Sequence, residues 1–179
     1  VEVRRIFAGV VGAIIIQRMF EPVLSKRNSR LLAQVGAVEF GGAHYPYLIL
    51  LHVLFFISLI CESRMRGLET APFFFRFGLL LLMACQAVRF WVIQTLGIHW
   101  TTRVLVVPGE RRIASGPYRW VSHPNYLLVA LELFTLPAMF GLYWTVGVFS
   151  VANAVVLLKF RIPAEEAALT WAENQEMNR

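Results

Sequence analysis

Two polar clusters in an otherwise apolar chain hold most of the side chains able to do chemistry. The first, residues 116–126 (GPYRWVSHPNY), places Tyr118, Arg119, Ser122, His123, Asn125 and Tyr126 within nine positions. The second, RIPAEE, holds Arg161, Glu165 and Glu166. Donors, acceptors and aromatic faces at this density suit recognition of a polar, nucleotide-like ligand at a membrane interface. Each part also has a plainer use. His123-Pro124 can simply open a helix, because proline is favoured at the first helical position, with Tyr118, Trp120 and Tyr126 as interfacial aromatics. Glu165 and Glu166 can simply complement a helix dipole, for about 0.3–1 kcal/mol. Neither use explains why Arg161 and two acids stand at a membrane exit opposite the first cluster.

The elements that must position these residues are hydrophobic. The 179 residues are 58% hydrophobic and 16% charged, and mean hydropathy is +0.61. Soluble domains run at about 45–50% and about 25%. This is the composition of a membrane protein, and the length suits one compact bundle. Residues 126–160 are too long for one crossing, carry only Glu132 as a charge before Lys159, and suit two helices turning near 137–141. That hairpin would return the second cluster to the membrane face of the first. Ahead of it lie apolar runs at 6–20 (extended to 24), 47–61 and 73–93. The expected fold is an all-α polytopic membrane bundle of about five transmembrane helices. It forms a single domain over 1–179: helices 1–3 within 1–96, a polar connection at 97–124, the hairpin at 125–160, and a C-terminal amphipathic helix at 161–179 that starts where Pro163 breaks the last span. Residues 25–42 are expected to form an interfacial amphipathic helix. Residues 101–113 are expected to fold as a small hairpin about Pro108-Gly109. The first apolar run lacks an A-x-A cleavage pattern and is read as a retained helix.

The net charge of +6 comes with no basic helix face and no recognition motif, which argues against nucleic acid as a partner. The cations sit at the ends of apolar runs. Twelve (Arg18, Lys26, Arg27, Arg30, Arg89, Arg103, Arg111, Arg112, Arg119, Lys159, Arg161 and Arg179) fall on the side of the two clusters. Five (Arg4, Arg5, Arg64, Arg66 and Arg76) fall on the other. The positive-inside rule then places the clusters on the cytoplasmic side, in a cell inner membrane. Arg18 and Arg89 are expected to snorkel towards the headgroups. Glu132, mid-span, is a functional candidate by default: it either lines a tunnel for a lipid substrate or is hydrogen-bonded structurally. His52 reads as a hydrogen bond between helices. His44, His52 and His99 lack the spacing of a metal site, and none is expected. Cys61 and Cys85 imply no disulfide framework and read as small buried residues.

The pattern GPYRWVSHPNYL, one helical hairpin, then RIPAEEAAL resembles the isoprenylcysteine carboxyl methyltransferase family of integral membrane methyltransferases. The resemblance covers about residues 101–169 and departs at Ser122, where members often carry Arg, which removes one anion contact. The stretch EFGGAHYPYLILLHVLFF is similar to the bacterial branch that methylates alkylpyrones or alkylresorcinols. The resemblance implies S-adenosylmethionine as methyl donor. Tyr118, Arg119, His123, Pro124, Asn125 and Tyr126 would line its site, with Glu165 and Glu166 closing it from the other side. Arg161, Glu165 and Glu166 would be the catalytic group. The acceptor would be an oxygen of a lipophilic small molecule, a carboxylate or an enolic or phenolic hydroxyl, reached from the bilayer. Steroid and sterol reductases carry a similar Arg-His-Pro-Asn-Tyr stretch and use NADPH. The paired acids suit an adenosyl donor better than a phosphorylated dinucleotide. A scaffold or transporter using both clusters as interface anchors is the reading from another class.

Overall fold

The computed structural model describes residues 2–177, with side chains to 175. Its helices are α1 (Glu2–Gln34), α2 (Tyr45–Met65), α3 (Pro72–Leu96), α4 (Pro124–Ala138), α5 (Tyr143–Val156) and α6 (Ile162–Met177). Two three-residue strands, β1 (Val38–Phe40) and β2 (Val104–Val106), pair antiparallel with Val38 opposite Val106 and Phe40 opposite Val104. The fold is an all-α polytopic membrane bundle. Four helical stretches, Glu2–Gln34, Gly42–Met65, Pro72–His99 and Tyr143–Gln175, are long and apolar enough to cross a bilayer. The fifth expected span, α4, has 15 residues, about 22 Å of helix. It is held as the antiparallel partner of α5. The faces turned to lipid stay apolar: Phe73, Phe74, Phe77 and Leu80 on α3, and Val148 and Val151 on α5, are all more than half exposed.

The two ends of the bundle are tied differently. At one end the α2–α3 loop meets the α4–α5 turn through Glu69 N–H donating to the Phe140 carbonyl, 3.1 Å. There the Glu62 carboxylate of α2 caps α5 from outside. It accepts from the Trp144 and Thr145 amides at 3.1 and 2.8 Å and from the Thr145 hydroxyl at 2.7 Å. At the other end lie the strands, the polar connection and α6.

Several expectations need correction at that second end. Residues 25–34 do not form a separate interfacial helix but continue α1. The reason is polar docking: Asn28 donates to the carbonyls of Gly97 and Trp100 at 3.1 and 2.8 Å, Ser25 pairs with Thr102 at 2.8 Å, and Leu32 is fully buried. The helix stops at a turn with Gly36 at φ 82°, a conformation glycine adopts without steric cost. Residues 104–106 pair with β1 and not with 110–113. The Pro108-Gly109 turn instead seats Gly109 N–H on the Ala172 carbonyl of α6, 2.9 Å. Pro163 does not break the last helix. A π-helical turn, Leu157–Arg161, widens the helix just before it, and a widened turn accommodates a residue that lacks N–H and crowds the preceding turn. The C-terminal helix therefore leaves α5 continuously and packs Ala168 and Ala172 against Val104 and Val106. Cys85 is buried as expected, but Cys61 is exposed on the bundle surface.

Arg18 and Arg89 do not snorkel. Arg89 is 1% exposed and sits bidentate on Glu132, with Nε to Oε1 at 3.1 Å and Nη2 to Oε2 at 2.7 Å. Its Nη1 reaches Glu21 at 3.3 Å. Arg18 donates to Glu21 at 2.9 Å and also pairs with Glu132, and Gln86 donates to Glu132 at 2.9 Å. Two guanidiniums and two carboxylates from α1, α3 and α4 thus form one charge-balanced cluster. Glu132 takes the hydrogen-bonded structural role and lies beneath its partners. Removing these two arginines from the orientation count leaves ten cations against five. Arg179, one of the ten, lies outside the described residues.

Candidate functional site

Each half of the site is placed by a local device. Gly116, at φ 55°, opens the short helical turn Gly116–Arg119 against α3, where a Cβ would collide with the Thr95 side chain. This close approach buries Pro117 and packs Tyr118 against α3. Pro124 is buried at the start of α4, so His123 sits just before the helix and Asn125 and Tyr126 in its first turn. On the other strand of the hairpin, the π-helical turn buries Arg161, and Glu165 follows one helical turn later.

The two clusters, about forty residues apart, meet. Tyr126 donates its hydroxyl proton to Glu165, and Arg161 Nε donates to the Tyr126 oxygen at 2.9 Å. Arg161 Nη2 is anchored on the Thr102 carbonyl at 2.8 Å. His123 lies between both acids, with Nδ1 3.3 Å from Glu165 and Nε2 2.8 Å from Glu166. An acid beside each ring nitrogen favours the doubly protonated imidazole, a form unsuited to act as a base. Its ring stacks on Tyr126 with centroids 5.5 Å apart. Glu166 is held from outside by Arg112 at 3.1 and 2.7 Å. That pair is solvent-exposed and contributes little stability.

The hydrogen bond to Glu165 raises the His123 pKa above its ordinary value of about 6.5. The charges of Glu165 and Glu166 add to this, and burial opposes it. For a histidine with a raised folded pKa, the stabilisation is complete below the unfolded value and is lost as pH rises through the folded one. The clamp should therefore be complete below the unfolded value and loosen as pH rises through the raised folded one. A titration of the His123 ring by nuclear magnetic resonance should give a midpoint above 6.5, and Glu165→Gln should move it down. An unshifted midpoint in the parent protein would remove the clamp from the site.

Above and beside these groups runs a cavity of about 670 Å³, within the range of small-molecule sites. Its polar mouth is lined by Tyr118, Ser122, His123, Asn125, Tyr126, Arg161 and Glu165; its far part by the apolar Ile15, Met19, Ile49, Val53 and Phe56 together with His52 and the mutually paired Arg18, Glu21 and Arg89. The Asn125 side-chain oxygen is buried with no hydrogen-bond partner among the described residues. Burial also raises the Tyr118 pKa, so its hydroxyl stays protonated as a donor. Of the expected site residues, Tyr118, His123, Asn125, Tyr126, Arg161 and Glu165 line this cavity. Glu166 supports it through His123. Pro124 acts through the backbone, and Arg119 is exposed and outside it. Sequence reasoning missed Thr102, Arg112 and Asn153. Thr102 acts through a carbonyl, which carries no residue signal. Asn153 is buried on α5 and lines the cavity; a lone amide in that apolar run could have marked it. Among the described residues no group of three or more His, Cys, Asp or Glu is placed to hold a metal ion.

The family model for isoprenylcysteine carboxyl methyltransferases (ICMT) matches residues 78–171, more than half of the chain and both halves of the site. The chain belongs to the ICMT family. It is a membrane methyltransferase by that membership, and its hairpin of α4 and α5 falls wholly inside the matched region. The chain is also similar to "Uncharacterized protein YpbQ" of Bacillus subtilis (strain 168), 40% identical over 89% of this chain and 94% of the relative. An "Uncharacterized protein" of Haemophilus influenzae is 28% identical over 92% of this chain and 96% of its own length. No solved structure matches.

Proposed function

We propose that the protein transfers a methyl group from S-adenosylmethionine to an oxygen of a lipophilic small molecule, with its polar mouth facing the cytoplasm. The observation carrying this reading is the junction of both clusters at one end of a cavity whose other end is mostly apolar, with its charges there paired to one another. The donor set fits an S-adenosyl ligand. Glu165 accepts from hydroxyl and ammonium groups, Arg161 supplies a cationic donor for a carboxylate through Nη1 while its Nε and Nη2 hold Tyr126 and Thr102, and the Asn125 oxygen accepts one more N–H or O–H. The faces of Tyr126 and His123 give stacking surface, and the Tyr126 ring also favours a cation. When bound, the cofactor supplies an electrophilic methyl group on a sulfonium. The chain's part is alignment: Arg161 is fixed by Thr102 and Tyr126, and Glu165 by Tyr126 and His123. An acceptor carboxylate is ionised at neutral pH and needs no base. For a hydroxyl acceptor the base falls to a carboxylate, because His123 is held protonated. The wall between α1 and α2 would take the lipid tail from the bilayer. The single-domain organisation over 1–179 is part of this reading.

Calorimetric titration of the solubilised protein should show micromolar binding of S-adenosylhomocysteine and none of NADPH. Binding of NADPH alone would move the assignment to a reductase. Binding of neither by folded protein would leave the clusters as interface anchors.

A further inference from the structure

His52 was expected to bridge helices; it does not. Its Nδ1 lies 2.8 Å from the Leu48 carbonyl of its own helix. A carbonyl only accepts, so Nδ1 carries the proton. Among the described residues no donor reaches Nε2, and this nitrogen is not one of the closed-off unpartnered atoms of the interior. Tyr45, Leu48, Ile49, His52 and Phe56 form one stripe of α2 along the cavity, and His52 lies on it half-buried. Arg18, Glu21 and Arg89 line the same cavity. Glu21 is shared between the two guanidiniums, and Glu132 binds both as well. No carboxylate is left to hold a second proton on His52, so the ring is neutral and Nε2 presents a lone pair.

A fixed acceptor without a donor, flanked on α2 by Ile49, Val53 and Phe56 and sharing the cavity with Arg18, Glu21 and Arg89, whose charges are paired among themselves and with Glu132, is completed by a ligand that brings a proton. We propose that His52 Nε2 accepts a hydrogen bond from a hydroxyl on the head of the lipid acceptor, and that it selects hydroxyl-bearing heads over carboxylates. A carboxylate would set its own lone pairs against that of Nε2, and the balanced Arg18–Glu21–Arg89–Glu132 cluster offers it no net positive charge. Glu132 lies six residues beyond Tyr126 on α4, about 9 Å further along the helix. The subsite therefore sits on the bilayer side of the polar mouth, where an acceptor and not the cofactor would reach it. The inference rests on the methyl-transfer reading for the identity of the ligand, but not for its chemistry.

The test uses the full chain in lipid nanodiscs and three probes of one tail length: para-nonylphenol, nonylbenzene and para-nonylbenzoate. S-adenosylhomocysteine affinity is measured separately on every variant. The parent protein should bind the phenol about tenfold more tightly than either other probe, as one neutral hydrogen bond allows. His52→Phe keeps a ring and removes the acceptor, and should lose the preference with S-adenosylhomocysteine affinity unchanged. His52→Gln restores an acceptor oxygen and should recover most of it. Should His52→Phe fail to fold, the nitrogen resonances of the labelled parent protein decide: Nε2 should shift with the phenol and stay still with nonylbenzene. No preference in the parent protein, or a preference that survives His52→Phe, overturns the proposal. A preference that follows His52 in a protein that never binds S-adenosylhomocysteine would uphold the subsite and sink the methyl-transfer reading instead.

Discussion

Glu165→Gln should lower the affinity for S-adenosylhomocysteine by about a hundredfold, about 2.7 kcal/mol. Glu165 is the acceptor for Tyr126 and a partner of His123, and through Tyr126 it sets the position of Arg161. The amide keeps the shape but removes the charge that holds three groups. Losing one partner of a fully buried, hydrogen-bonded charged set costs about 2–5 kcal/mol, much of it from groups left unpaired; Glu165, with its side chain 25% exposed, falls at the lower end. Because the groups act as a unit, adding His123→Ala should cost clearly less than the sum of the single losses. Calorimetry on the two single variants and the double variant measures this, with thermal melting as the control for folding. Undiminished binding by Glu165→Gln would place the cofactor elsewhere. Strict additivity would mean the two clusters do not share a ligand.

The second large effect concerns stability. Arg89→Met or Glu132→Leu alone should destabilise the fold by about 3–5 kcal/mol, the usual consequence of leaving one buried charge without its partner. Arg89 and Glu132 have side chains only 2% and 5% exposed, so solvent offers no substitute. The double variant removes one charge of each sign and leaves Arg18 facing Glu21, so it should be less damaged than either single change. Denaturation monitored by tryptophan fluorescence in a fixed detergent gives the comparison. If the double variant is as unstable as the sum of both singles, the pair acts independently and the cluster is not a charge-balanced unit.

The chain's apolar runs determined the bundle. Four runs long enough to span, plus a fifth paired in a hairpin, leave few other ways to satisfy backbone groups in lipid. The spacing of the two polar clusters across that hairpin also determined their meeting, since two antiparallel helices return the chain to its starting face. Tertiary structure decided what depends on partners far apart in sequence. Arg18 and Arg89 each look like a snorkelling end residue when read alone. Only the approach of α1, α3 and α4 shows that Glu21 and Glu132 neutralise them. The hint was present as four ionisable residues of balanced sign in or beside apolar runs, but the pairing is not local. Residues 25–34 kept their helix because Asn28 found carbonyls some seventy residues away. Residues 104–106 chose β1 over their sequence neighbour for the same reason: a strand has no partner until the fold supplies one. Pro163 remained in a continuous helix because a widened turn removed the clash that proline normally causes. In each case a local propensity was overridden by a contact whose energy exists only in the assembled bundle.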